Sequence, residues 1–568
     1  MIVQLFLGSV LAYLLWNIIC LEINARKARG LKVPFVRLPI DSNNVPWTIV
    51  QPHVWNILDR LPIKWSSYPD FVRYSRRGWH FADKSETHIR LGPVWALVTP
   101  VAIYLHFADP EAIHEIFTRR TDFVRPIKEY KLLEVYGPCI STAGWDDWSR
   151  HRKVLAAPFN ESIMKFVWDE SLGQAKAMLR SWASAAEAGI PSMQKDTRTL
   201  SLNILASTGF RKSYDFHGSA DPAIDEEGSY RDSLQTVLDN IILLMLVPYR
   251  LLTGPMVPKS WAKIGNAAVS FKKYMMKMLE EETAALNRGK PGSGGIMTAF
   301  VRALDVHSRE TSASETKDEE AKKGLSVDEI LGNLFVINFA GHDTTANTLA
   351  FSMLLLAAHP DVQAWISEEI ILVTKDVPIG EWDYKSLFPQ LKRCRAVLLE
   401  TLRVYPPIMA LPKWTSRRAQ TIKVGGRTLT IPPGISTIPY LHAIQTHPEY
   451  WPDPYSWLPS RWILHPASAS SPSVDQILGE ELLLPKRGTY FPWSDGPQNC
   501  PGKKFAEVEA VAVLACLFKT HRLRVKEEPG ENQDAARRRA MDCTNDVNME
   551  MLLRMTNADR VRLICREV

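Results

Sequence analysis

Residues Met1 to Leu21 are almost wholly apolar and uncharged, with Gln4, Ser9 and Asn17 the main interruptions. About 20 such residues cross a bilayer, so the pattern predicts a transmembrane anchor over 1–21. Arg26, Lys27, Arg29 and Lys32 follow, and their charge places the rest of the chain on the cytosolic side. A cleaved signal peptide fits less well, because the basic cluster comes after the apolar run and not before it. Val33-Pro34 through Pro39 reads as a stiff connector, giving a basic, proline-containing linker over 22–40 and a body over 41–568.

Within the body, Val- and Ile-containing runs from Thr87 to Phe107, broken by Gly92-Pro93 and Pro100, predict two or three short strands. Gly144 to Phe159 predicts a helix entered through Asp146 or Asp147, and the patterns from Phe166 to about Lys290 are mostly helical. The apolar, proline-rich stretch Pro248 to Pro258 interrupts them, and Gly289 to Gly295 is loop. Asp305 to Lys323 reads as a charged, mobile insertion. Ser326 with Glu329 forms a capping box that opens a long helix to about Ala358. Leu391 to Tyr405 is a helix stopped by Pro406-Pro407, and Thr421 to Ile431 is a hairpin turning at Gly425-Gly426. Trp451 to Tyr490 is irregular, and a tail from Met551 to Val568 closes a small sheet. The expected fold is mainly α with a minor β-sheet.

Composition narrows the function. The chain is 46% hydrophobic and 23% charged, enough for a large core. A net charge of +6 suits an anionic membrane or an acidic partner. No zinc-finger spacing or basic-aromatic repeat supports nucleic-acid binding. Seven scattered cysteines without a paired spacing point to a reducing compartment.

The chemistry concentrates at a few places. Gly496, Pro497, Pro501 and Gly502 bracket Cys500 just ahead of a helix-like run, Lys503 to Thr520. Helix-terminal N–H groups stabilise a thiolate, which suits axial ligation of haem iron; a buried, inert cysteine is the bland alternative. Gly341, Asp343, Thr344 and Thr345 are poor choices inside a long apolar helix. They relay protons beside a ligand for which Gly341 leaves room, or Thr bonds back to an upstream carbonyl and bends the helix. Trp148 and Arg152 lie four apart, making either a carboxylate clamp or a surface stacking contact. Glu400 and Arg403, three apart, read as an ion pair.

Trp493-Ser-Asp-Gly-Pro-Gln-Asn-Cys500-Pro-Gly-Lys-Lys-Phe505 resembles the haem-ligand loop of the cytochrome P-450 family, particularly its fungal, microsomal members. Trp148/Arg152, Ala340 to Thr345, and Glu400/Arg403 with Arg461 resemble that family's other motifs, in family order. Two positions depart from the commonest pattern: Trp493 replaces Phe, and Gln498 replaces a propionate-binding basic residue.

The resemblance implies a cytochrome P-450-like fold holding haem b. Cys500 is then the iron ligand in a loop with Gly502, and Trp148, Arg152, Lys413 and Gln498 lie near the propionates. Asp343 and Thr344 deliver protons, and Glu400, Arg403 and Arg461 form a structural network. It further implies a monooxygenase anchored once in the endoplasmic reticulum membrane with a cytosolic catalytic domain. Electrons come from NADPH through NADPH-cytochrome P-450 reductase, with cytochrome b5 as a second donor, and Lys503 and Lys504 either help form the docking face or are a merely solvated pair. The expected reaction hydroxylates, epoxidises or desaturates a lipophilic small molecule in fungal secondary metabolism. Val124 to Ile140, Pro248 to Pro258, Ile408 to Lys413 and Asn545 to Met551 line its pocket by analogy. Two alternatives stand beside it: a haem-thiolate isomerase or dehydratase needing no reductase, and a non-catalytic haem-binding protein.

Overall fold

The first helix of the computed structural model runs unbroken from Ile2 to Gly30, 29 residues. At 1.5 Å per residue it is about 43 Å long, more than the roughly 30 Å of a hydrocarbon core. From Leu7 it is long and apolar enough to cross a membrane. The structure describes residues 2–42, 44–210, 213–219, 230–313, 324–464, 473–549 and 551–568.

Residues 22–40 do not form the linker the composition suggests. Ala25, Ala28, Leu31 and Val33 are buried in the core beneath a sheet, and the Asn24 side chain donates to the Thr99 and Pro100 carbonyls. Strand β1 (Phe35–Arg37) then pairs in parallel with β2 (Val94–Val98). Small residues four or fewer apart, Ala25 and Ala28, let the end of this N-terminal helix lie close against that sheet. The basic residues between them point elsewhere, which hides this docking from a composition reading.

The main sheet has the order β1-β2-β3-β8-β5-β4, with β3 Ile103–Phe107, β4 Phe123–Val124, β5 Lys413–Thr415 and β8 Ser436–Pro439. β6 (Gln420–Val424) and β7 (Arg427–Ile431) form the hairpin expected at Gly425-Gly426. Glu86–Leu91, read as strand, is a short helix; the strands begin at Val94, after Gly92 and Pro93. The tail strand Leu563–Glu567 pairs antiparallel with His521–Val525.

Helices make up most of the body. Val327–Ala358 begins with the Ser326/Glu329 capping box and is buried on nearly every side, which explains its almost continuous apolar run. Glu161–Ser184, Met193–Phe210 and Lys503–Thr520 pack with it in one core. A second core joins its N-terminal half to Tyr230–Asp239 and Lys259–Asn287. The helix Trp145–Ala156 starts behind Gly144, not at Asp146 or Asp147. Ile296–Ala313 is helical, so the first part of the supposed insertion continues an ordered element; residues 314–323 lie outside the described residues.

One buried feature of the sheet is testable. His106 on β3 stacks on Trp95 at 4.7 Å, and among the described residues neither ring nitrogen has a hydrogen-bond partner. Burial pushes its pKa well below the usual imidazole value, so the folded protein holds it neutral. The unfolded chain binds a proton there below about pH 6.5, and stability is lost as pH falls through that value at up to roughly 1.4 kcal/mol per pH unit. His106→Phe should therefore be more stable than wild type by a margin that grows below pH 6.5, measured by urea unfolding. A margin independent of pH would contradict the neutral, buried imidazole.

Candidate functional site

The ligand loop is held by backbone geometry before any side chain acts. Cys500 N–H donates to the Trp493 carbonyl at 2.9 Å, and Asn499 N–H donates to Gly496 at 3.2 Å. Gly496 has φ +65°, and a Cβ there would come within 2.6 Å of the Phe117 carbonyl oxygen. Glycine is required at that position on both counts. Gly502 precedes the helix Lys503–Thr520, and its N–H bonds to the Cys500 thiol.

Cys500 is exposed, yet enough protein surrounds it for burial to push its thiol above the ordinary range. The two facts agree if the side chain faces an internal hollow and not the outer surface. Burial outweighs the Gly502 N–H and the Arg152 charge, which both favour thiolate. The helix terminus alone therefore does not ionise this cysteine, contrary to the expectation from its position. A bound cation such as a metal would favour the thiolate.

Around the loop the structure gathers positive charge. Arg152 donates to the Asn499 carbonyl at 2.8 Å and to Asn499 Oδ1 at 2.6 Å. Lys413 Nζ donates to Gln498 Oε1 at 2.6 Å. Arg125, missed in the sequence, donates to the Ile140 carbonyl at 3.2 Å and reaches the Gln498 carbonyl at 3.5 Å. The antiparallel register explains its place: Val124 faces Trp414, so the next position brings Arg125 beside Lys413. A cation flanked by Val124 and Pro126 at a strand end was the available signal.

Among the described residues no carboxylate pairs with Arg125, Arg152 or Lys413. Burial and the Arg125 charge lower Lys413 to about 7. Trp148 is buried with its indole N–H unpartnered, under the Arg120 guanidinium at 4.7 Å. Three cations and an orphaned donor without an anion fit a bound dicarboxylate. Haem with two propionates beside Cys500 meets that demand.

This pairing also explains Gln498. An arginine there would face Arg125 and Lys413, whereas the amide oxygen accepts from Lys413 without adding a third positive charge. Lys413→Gln should weaken haem retention by about 10- to 100-fold, the value of one charge-assisted hydrogen bond. Lys413→Gln with Gln498→Arg should recover most of it, measured by haem transfer to apomyoglobin. Equal retention in wild type and Lys413→Gln would remove Lys413 from the site.

The long helix carries a separate group. Asp343 Oδ1 accepts from Arg198 Nε at 3.0 Å, and Arg198 also donates to Asp239 at 3.0 Å. Thr344 Oγ1 donates to the Ala340 carbonyl at 2.8 Å, the back-bond considered from sequence. Among the described residues no hydrogen bond joins Asp343 or Thr344 to the ligand loop. A Cβ on Gly341 would meet Leu205 at 3.1 Å, so the glycine lets the neighbouring helix Met193–Phe210 pack close.

Behind the loop, Glu400 accepts both Arg403 contacts at 2.8 Å, Arg461 Nε at 3.0 Å, Trp462 Nε1 at 2.9 Å and Leu458 N–H at 2.8 Å. Arg403 also donates to the Gln445 carbonyl, and Gln445 accepts from Phe491 N–H, where the ligand loop begins.

The model of the family described as Cytochrome P450 matches residues 74–541. This chain belongs to the cytochrome P450 family. A P450 monooxygenase of Arthrobotrys oligospora is 31% identical over 570 residues, covering 96% of this chain and 95% of its own. One from Penicillium roqueforti is 26% identical over 551 residues, with 93% and 92% covered. A P450 monooxygenase of the phomenoic acid biosynthesis cluster of Leptosphaeria maculans is 28% identical over 556 residues, with 90% of each covered. P450 membership accounts for the demand for a dicarboxylate beside a cysteine. The family is one of haem-thiolate monooxygenases, and its predominantly helical fold with small sheets is the one seen here.

Proposed function

We propose that this P450 is a membrane-anchored monooxygenase of fungal secondary metabolism that oxidises a lipophilic small molecule. The observation that carries the site assignment is the set of cations Arg125, Arg152 and Lys413, which have no carboxylate partner among the described residues, with the Trp148 N–H, around Cys500. Cys500 ligates the iron; bound haem supplies oxygen activation, favoured by thiolate donation. The chain's own residues do the rest. Arg125, Arg152, Lys413 and Trp148 hold the propionates and neutralise their charge in a half-buried site. Asp343 passes protons to the Thr344 hydroxyl, and the back-bond to Ala340 fixes where that hydroxyl sits.

The apolar helix Ile2–Gly30 supports a single-pass anchor in the endoplasmic reticulum membrane, and the basic residues after it support a cytosolic body. Exposed Leu246, Leu251, Met256 and Trp261 at the stretch around Pro248 to Pro258 support a membrane-facing substrate inlet. The relative from a phomenoic acid cluster supports the metabolic context. NADPH-cytochrome P450 reductase is the electron source, with Lys503 and Lys504 near its docking face; both ammonium groups lie over aromatic rings, Trp493 and Phe388.

The test is a carbon-monoxide difference spectrum of the reduced protein, followed by incubation of lipophilic metabolites with reductase, NADPH and labelled dioxygen. A strongly red-shifted Soret band and label in the product are expected. Product formed without NADPH would replace this reading with an isomerase or dehydratase. Haem binding with no turnover on any metabolite tried would favour a carrier.

A further inference from the structure

Asn333 stands on the long helix Val327–Ala358, one turn after Glu329, and is 0% exposed. Its amide is used on both sides. Oδ1 accepts the Ile140 N–H at 2.8 Å, while Nδ2 donates to the Glu329 carbonyl at 2.6 Å and to His151 Nδ1 at 2.9 Å. A backbone N–H only donates, so the amide has one orientation, oxygen towards Ile140 and nitrogen towards His151. His151, 1% exposed, then accepts at Nδ1 and carries its hydrogen on Nε2, which faces Glu329 Oε1 at 3.6 Å. Arg150 closes the far side of Glu329, at 2.5 Å to Oε1 and 2.8 Å to Oε2.

The segment that Asn333 holds lies on the helix backbone itself. A Cβ on Gly332 would collide with the Gly137 and Pro138 carbonyl oxygens, and one on Gly137, at φ +147°, with the Asp328 carbonyl. Glycine on both sides is what lets the two chains approach this closely. The segment is tied at each end as well. The Tyr136 hydroxyl donates to the Ala268 carbonyl at 3.0 Å, and the Cys139 carbonyl accepts from Ala143 N–H at 2.8 Å, just ahead of Trp145–Ala156. Ile140 is the link that matters: its N–H is held by Asn333, and its carbonyl accepts from Arg125 at 3.2 Å.

We infer that Asn333 is a positioning residue for the cation Arg125, acting through Ile140, and that Gly137 to Ile140 is a fixed wall beside the haem site. The inference rests on the reading of Arg125 as a propionate partner. Among the described residues the Arg125 guanidinium reaches one other acceptor, the Gln498 carbonyl, at the long distance of 3.5 Å. The Ile140 carbonyl therefore sets its direction. A free arginine side chain gives up rotamer entropy when it grips an anion, whereas a guanidinium already aimed loses less. Asn333 carries no charge and lies ahead of the Ala340 to Thr345 stretch, so it acts on haem binding without touching haem.

The experiment is a double-mutant cycle on the haem-loaded protein: wild type, Asn333→Leu, Arg125→Leu and the pair, read as the rate of haem transfer to apomyoglobin. Leucine keeps the volume of Asn333 and removes its acceptor and donors. Asn333→Leu should speed haem loss about tenfold, the effect of one buried hydrogen bond left unmade, and Arg125→Leu about 10- to 100-fold. The double variant should lose haem no faster than Arg125→Leu alone. Effects that multiply would mean that Asn333 supports the core without acting through Arg125, and would overturn the inference. If Arg125→Leu is fast and Asn333→Leu matches wild type, only the role of Asn333 falls. If Arg125→Leu itself matches wild type, the propionate reading of Arg125 fails, and the inference with it.

Hydrogen exchange of the wild-type holoprotein decides the matter even if Asn333→Leu fails to fold. The Ile140 N–H should exchange as slowly as the bonded amides of Trp145–Ala156. Exchange at the rate of an unbonded loop would show that the segment opens freely and that Asn333 does not hold it.

Discussion

Replacing Cys500 by alanine should abolish the red-shifted carbon-monoxide band and reduce monooxygenase turnover to background while leaving the protein folded. The separation follows from what the side chain does. The loop is held by backbone bonds, Cys500 N–H to Trp493 and Asn499 N–H to Gly496, and by the positive φ of Gly496, none of which needs sulfur. The thiol itself receives the Gly502 N–H and the field of Arg152. Losing it should change stability by no more than about 0.5 kcal/mol, the range for substitutions away from packed features. Haem should still bind, more weakly, through the cations at 125, 152 and 413 and the indole of Trp148. The check is the absorbance spectrum, haem content and melting temperature of Cys500→Ala beside wild type. A red-shifted band that survives the substitution would show that another residue ligates the iron. A pH titration adds a second check. The thiol lies above its ordinary range without metal and must lose its proton to ligate, so thiolate-ligated haem should be favoured as pH rises.

The parts of this site legible in the sequence were those fixed by neighbours along the chain. The capping box at Ser326, the hairpin at Gly425-Gly426 and the loop around Cys500 are local, and their residue types point to their geometry. Arg125 was not legible, because its function depends on a strand register that places it beside a residue almost 300 positions later. Gln498 looked like a deficit for the same reason: its hydrogen-bond partner is Lys413, on a strand distant in sequence. Periodicity also failed for Ala25 and Ala28, whose burial depends on a sheet that the N-terminal helix meets in space. Arg198, which holds Asp343, sits on a different helix and carries no motif. Spacing reads helices and turns well; it does not read which cation ends up facing which acid.

The second large effect is expected from a residue that touches neither haem nor substrate. Glu400 and Arg403 are both 0% exposed, and five hydrogen bonds converge on the Glu400 carboxylate. Glu400→Gln keeps the volume but removes the charge that Arg403 and Arg461 share, and one amide hydrogen then faces a donor. Leaving a buried guanidinium without its partner costs about 3–5 kcal/mol, against a whole-protein stability of about 5–15 kcal/mol. The consequence should extend to the ligand loop, because Arg403 holds the Gln445 carbonyl and Gln445 receives Phe491 N–H. Glu400→Gln should therefore yield protein with little haem and a markedly lower melting temperature, though Cys500 and every propionate partner remain in place. Arg403→Met added to Glu400→Gln should recover only part of the loss, since the carbonyls of Gln445, Pro454 and Ser456 also lose their donor. Full haem content and an unchanged melting temperature in Glu400→Gln would mean that the loop is positioned by its own backbone and owes nothing to the network behind it.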